Sequence, residues 1–144
     1  MVPSASPPNP VNPLRRSAIG PLIGGNLDMV ATCAGWALPP LGGAILLLEA
    51  VGMFHGAIDR QLTMLRKGGH LDGVAGIALG QFTDINPSGS WTIVDLLRQH
   101  LEPLGVPILG GLPLGHGETA ESFPLGYLTR LDGAAGTLTA RMAP

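Results

Sequence analysis

The chain has a single cysteine, Cys33, among 144 residues. One thiol excludes an internal disulfide framework and any all-cysteine metal site. It fits a reducing compartment, and a cytoplasmic location is expected. Charge is scarce as well: charged residues make up 12% of the chain, with eight Lys and Arg against ten Asp and Glu. The only adjacent basic pairs are Arg15-Arg16 and Arg66-Lys67. No basic stripe is present to neutralise phosphates, which argues against nucleic acid as a partner, and none is expected. Residues 1–13 lack a charged segment followed by an apolar one and do not read as a secretory signal. The four histidines, His55, His70, His100 and His116, sit in four separate local contexts. None has a second ligand at metal spacing, and no metal or other cofactor is expected.

Apolar residues are plentiful, at 45%, and a chain of this length can bury a real core as one domain. The 22 glycines and 14 prolines predict many turns and short elements. One stretch, Met29–Leu48, runs 20 residues without a charge, long enough in principle to span a bilayer. Pro39-Pro40 and Gly42-Gly43 interrupt it, and Asp28 and Glu49 bound it with no basic anchor nearby. It reads as a helix, a loop and a strand, and no membrane partner is expected.

Residues 1–17, with Pro3, Pro7, Pro8, Pro10 and Pro13, read as a proline-rich linker or remnant, which leaves 18–144 as the domain. A short strand over Ser17–Ile23 leads to a Gly24-Gly25 turn, and Asn26 is placed to cap a helix that Gly35 ends. Ala44–Glu49 is a continuous apolar run closed by a carboxylate, the mark of a strand buried on both faces. Phe54, Ile58, Leu62 and Leu65 recur at helical spacing up to Gly68-Gly69, with His55 expected at the surface or in a cap. Gly73–Gly80 reads as a second buried strand. Thr92-Ile93-Val94-Asp95 is a capping-box pattern, opening a helix that points Val94, Leu97 and Leu101 inward and ends before Pro103. Val106–Leu109 is a third buried strand, and residues 124–131 and 136–140 pair as a closing hairpin. The fold class is α+β with α/β-like layers in a single domain.

Two residues could carry chemistry. Glu49 is either a solvated strand end or a placed functional group. His116 lies in Gly111-Leu112-Pro113-Leu114-Gly115-His116-Gly117, whose glycines allow a sharp turn with the histidine at its tip. It is either a solvated loop histidine or a proton-transfer residue. An imidazole and a carboxylate are two of the three parts of a serine hydrolase's triad. The 67 residues between them (116 − 49) leave room for two strand–helix units, and parallel pairing would bring both to one sheet edge.

Several stretches, in order and spacing over residues 18–140, resemble the C-terminal domain of the LD-carboxypeptidases. These are also called muramoyltetrapeptide carboxypeptidases, and the family includes the microcin C immunity peptidases. The stretches are Pro21–Leu27, Ile45–Glu49, Ile58-Asp59-Arg60, Gly76–Phe82, Pro113–His116, and Pro124-Leu125-Gly126 with the last hairpin. The resemblance implies a swivelling β/β/α layered domain. It also implies a Ser–Glu–His triad in which Glu49 and His116 are the last two members. The implied activity is that of a serine peptidase that removes the terminal D-alanine from murein tetrapeptides in cell-wall recycling. Its substrate is then a murein-derived peptide, its partner an N-terminal serine-bearing domain, and its assembly a homodimer. The sequence departs from the family's pattern at three points. No Gly-x-Ser-x-Gly turn occurs: Ser4, Ser6, Ser17, Ser88, Ser90 and Ser122 sit in linker or turn contexts. Ala50 stands where an acid usually follows the glutamate, and Met53-Phe54-His55-Gly56 replaces a Glu-x-Pro-Tyr-like stretch. The chain by itself is therefore expected to be inactive. Two other readings are a microcin C immunity-type peptidase domain, and a binding or interaction module that kept the fold and lost catalysis.

Overall fold

The computed structural model describes residues 17–86 and 89–142; of the expected linker, only Ser17 lies among them. The chain alternates strand and helix: β1 (Ser17–Asn26), α1 (Leu27–Cys33), β2 (Ile45–Val51), α2 (His55–Lys67), β3 (Gly76–Thr83) and α3 (Ile93–Leu101). A 3₁₀ turn over Glu102–Leu104, β4 (Ile108–Leu109), β5 (Leu128–Asp132) and β6 (Thr137–Ala140) complete it. All six strands form one sheet in the order β4-β3-β2-β1-β5-β6. β1 to β4 run parallel, and β5 and β6 are added antiparallel.

Strands that step in one direction across a sheet through right-handed crossovers place every crossover helix on the same face. The packing follows that rule. Leu27, Val30, Ile58, Leu62, Leu65, Leu97 and Leu101 of the three helices share one core with Leu46, Leu48, Ile77 and Leu79 of the strands. The alternate strand positions, Leu22, Ile45, Leu47 and Ala78, build a second core on the other face with Leu109, Leu114 and Leu131. Leu109 comes from one end of the sheet and Leu131 from near the other, so the sheet curls into a half-barrel. The layered α/β architecture expected from the sequence is the one observed.

Side-chain caps set where α1 and α3 begin. The Asn26 side chain accepts from the Met29 backbone N–H at 3.2 Å and starts α1. A reciprocal Thr92–Asp95 capping box starts α3. Gly35 has a left-handed backbone just past the end of α1. The uncharged 29–48 run is a helix, a loop and a strand, and among the described residues no helix is long and apolar enough to cross a membrane.

Several expectations need correction. Gly24-Gly25 is not a turn: β1 continues through both, paired with Leu47 and Leu48. A Cβ at Gly24 would run into the Leu47 carbonyl oxygen, so only glycine lets the strands approach this closely. β2 continues past Glu49 to Val51, and β3 begins at Gly76 rather than Gly73. β4 is two residues long, and β5 begins at Leu128 rather than Pro124. Phe54 lies before α2, not within it, and is exposed, whereas His55 is buried in the first turn. Val94 is also exposed, because the inward stripe of α3 is Leu96, Leu97, His100 and Leu101. A histidine on that stripe disguises it, so the apolar spacing alone points one position away.

Leu46 is fully buried in the helix-side core. Leu46→Ala should lower the unfolding free energy by about 2–5 kcal/mol, measured by urea denaturation, through lost transfer energy and a residual cavity. The Thr92 backbone N–H, and then its hydroxyl, hold the Asp95 carboxyl below the usual aspartate range. A carboxyl lowered on folding stabilises the folded chain above its unfolded value, and the effect is lost as pH falls through the folded value. The stability deficit of Asp95→Asn should therefore appear in unfolding curves at neutral pH and vanish in acid.

Candidate functional site

Side chains alternate across a strand. Leu46 and Leu48 of β2 point to the helices, while Ile45 and Leu47 point into the concave face. Glu49 shares the parity of Ile45 and Leu47 and turns its carboxylate toward the concave face, near the carboxyl end of the parallel strands. Ligands of open parallel sheets gather beyond such strand ends. Opposite Glu49 the ladder is irregular: Leu48 pairs with Leu79, but Ala50 pairs with Phe82. Two residues of β3, Gly80 and Gln81, thus face one residue of β2. Bulges of this kind re-aim side chains.

β4 gives way after Leu109 to the loop that carries His116, and the loop stays against β3. The Leu112 N–H donates to the Leu79 carbonyl at 3.1 Å, and the Gln81 N–H donates to the Leu114 carbonyl at 2.7 Å. The Leu114 side chain is buried in the concave core and anchors the loop. A Cβ at Gly80 would overlap the Leu114 carbonyl oxygen and lie 3.1 Å from the Glu49 Cβ. The bare Cα is what gives that carbonyl its seat.

The result is a direct contact. His116 Nδ1 lies 2.9 Å from Glu49 Oε2. The carboxylate is an acceptor, so Nδ1 donates, and in the neutral ring Nε2 holds the lone pair. The two partners are unequally placed: the Glu49 side chain is 8% exposed and that of His116 is 53% exposed. His116 Nε2 has no hydrogen-bond partner among the described residues. A buried carboxylate fixes a half-exposed ring whose second nitrogen has no partner among the described residues, an arrangement able to take a proton from an incoming hydroxyl.

The remaining histidines lie elsewhere. His100, buried between α2 and α3, has Nε2 2.7 Å from Asp59 Oδ1 and Nδ1 3.2 Å from an Arg66 guanidinium nitrogen. This second imidazole–carboxylate pair was not foreseen; its signal was the polar residue on the inward stripe of α3. No three His, Cys, Asp or Glu residues among those described cluster closely enough to hold a metal ion. Gln81, which lies in the Gly76–Phe82 stretch but carries no assigned role in the sequence, accepts from the Gly117 N–H at 2.8 Å, one residue from His116.

Known proteins share this architecture. Residues 19–131 match the family model for the LD-carboxypeptidase C-terminal domain. A carboxypeptidase-like protein of Synechocystis sp. is 41% identical over 127 residues, which is 85% of this chain and 42% of that protein. The murein tetrapeptide carboxypeptidase of Pseudomonas aeruginosa is 32% identical over 117 residues, 79% of this chain and 38% of that one. The crystal structure of muramoyltetrapeptide carboxypeptidase from Oxalobacter formigenes superposes with a TM-score of 0.77 at 28% identity, over 88% of this chain and 46% of that one. The chain thus spans about two-fifths of the length of these curated relatives.

The seat at Gly80 can be tested directly. In Gly80→Ala the added methyl should lift the Leu114 carbonyl off β3 and carry His116 away from Glu49. A crystal structure of the variant should show the 2.9 Å contact broken while the helix-side core is unchanged. The family model over residues 19–131 and relatives 32–41% identical over most of the chain place it in the LD-carboxypeptidase family, as a C-terminal domain of that family.

Proposed function

We propose that this chain supplies the glutamate and histidine of a serine carboxypeptidase that releases the terminal D-alanine from murein tetrapeptides. The observation that carries the reading is the Glu49–His116 hydrogen bond, with the outer imidazole nitrogen left free. The substrate class rests on the names of two relatives, the murein tetrapeptide and muramoyltetrapeptide carboxypeptidases. The serine and its oxyanion donors belong to an N-terminal half outside these 144 residues.

In this reading His116 Nε2 takes the serine proton as the hydroxyl attacks the peptide carbonyl, then returns it to the departing D-alanine amine. Water repeats the cycle to release the acyl group. Glu49 holds the ring in the productive tautomer and stabilises the imidazolium without taking the proton itself. Its burial keeps solvent from competing for the Nδ1–H. A homodimer and a cytoplasmic location complete the reading; the first rests on resemblance to the family, the second on the single thiol.

D-Alanine release is the test. The 144-residue chain alone should give none above background, because no acyl-enzyme route exists without the serine. Joined to a matching N-terminal half, it should turn over an LD-tetrapeptide. In that enzyme His116→Ala should abolish release, and Glu49→Gln should lower kcat on the order of 10⁴-fold. Turnover that survives His116→Ala would overturn the assignment, and a joined enzyme that binds the tetrapeptide without cleaving it would favour a binding module.

A further inference from the structure

We infer that Gln81 is a positioning residue for His116, holding the histidine loop in register with Glu49 through the Gly117 amide. The inference rests on the proposed role of His116. Three contacts converge on Gln81. Its backbone N–H donates to the Leu114 carbonyl at 2.7 Å, two residues before His116. Its side-chain Oε1 accepts from the Gly117 N–H at 2.8 Å, one residue after His116. Its Cβ and carbonyl oxygen floor the loop between these points, since a Cβ at Gly115 would lie 3.3 Å from the first and 3.4 Å from the second. The histidine is thus gripped on both sides by a single residue of β3.

The fit at Gly117 is close. A Cβ there would lie 2.5 Å from Gln81 Nε2 and 2.7 Å from Cδ and Oε1, so the side-chain amide lies flush against the glycine backbone. The bulge explains why a glutamine can do this. With Gly80 and Gln81 both opposite Glu49, the strand gains one position on the site side. Gly80 makes room for the loop, and Gln81 reaches along it. A regular ladder would offer only one of the two. His116 is about half exposed, and the side-chain hydrogen bond that orients its ring is the one to Glu49. Losing the Gly117 anchor frees the loop backbone, and the ring then samples orientations that miss the carboxylate.

The test uses two readouts. The first is the NMR signal of the His116 Nδ1 proton in the 144-residue chain. A proton held by a carboxylate exchanges slowly enough with water to be seen. It should be present in the parent chain, absent in Glu49→Ala, which removes the acceptor, broadened or lost in Gln81→Leu, and restored in Gln81→Glu, which keeps the acceptor for Gly117. The Asp59-bonded His100 proton on the helix layer should persist in all of them, which reports an intact fold. If Gln81→Leu does not fold, Gln81→Ala takes its place. The second readout is D-alanine release by the joined enzyme, where Gln81→Leu should lower kcat about 10–100-fold with KM nearly unchanged, and Gln81→Glu should recover most of it. A His116 signal unaltered in a folded Gln81→Leu or Gln81→Ala chain overturns the inference and leaves the proposed function standing. If instead the signal responds as expected while the joined parent enzyme releases no D-alanine, the proposed function fails and the positioning of the ring is established without it.

Discussion

Between Leu48 and Ala50, β3 holds one residue more than β2 beside it, and the geometry around Glu49 depends on that surplus. Parallel strands in regular register would set one side chain of β3 against the carboxylate and leave no room for a third backbone. Here the extra position is split between a residue without a side chain and one with a long polar side chain. The first admits the Leu114 carbonyl, and the second reaches Gly117. The loop after β4 can therefore lie along β3 although β4 pairs at only two positions. A short strand is enough because its work is continued by side-chain and backbone bonds from the neighbouring strand.

The two imidazole–carboxylate pairs show how burial assigns different roles to the same groups. At the helix layer the ring is buried, with 5% of its side chain exposed, and its Asp59 partner is 54% exposed. At the sheet edge the asymmetry is reversed, with Glu49 inside and His116 outside. A buried ring with Asp59 on one nitrogen and Arg66 on the other has no nitrogen left for a substrate; it ties α2 to α3. A buried carboxylate with an outward ring offers a nitrogen to whatever approaches. Removing a carboxylate from water is costly unless a donor meets it, so Glu49 needs His116 as much as it orients it.

Much of this was legible in the chain. Three parallel strands showed as apolar runs or glycine-punctuated apolar stretches, and the caps at Asn26 and Thr92 showed in side chains that can accept from a helix N-terminus. Glu49 and His116 stood out because a carboxylate after five apolar residues and a histidine among glycines each break a local pattern. What was hidden depends on neighbours distant in sequence. The strand character of Gly24-Gly25 comes from the closeness of β2, which no local rule contains. The bulge is a relation between two strands and has no signature in either one. The role of Gln81 has no local signature, because its partner lies 36 residues away. The burial of His100 is hidden for a related reason: its polarity conceals an inward position that Asp59 and Arg66 make tolerable.

The two-residue length of β4 has a further consequence for the chain as a whole. A sheet edge with free amides and carbonyls invites pairing with another chain, and proteins blunt such edges by shortening or covering them. Beyond Leu109 the covering of β3 is the histidine loop itself, whose Leu112 amide and Leu114 carbonyl take up hydrogen-bonding groups of Leu79 and Gln81. The segment that presents the imidazole is also the guard on the exposed side of the sheet. Selection for a freer, more adaptable loop would uncover that side, so solubility and the stiffness of the site are bound to the same few backbone bonds.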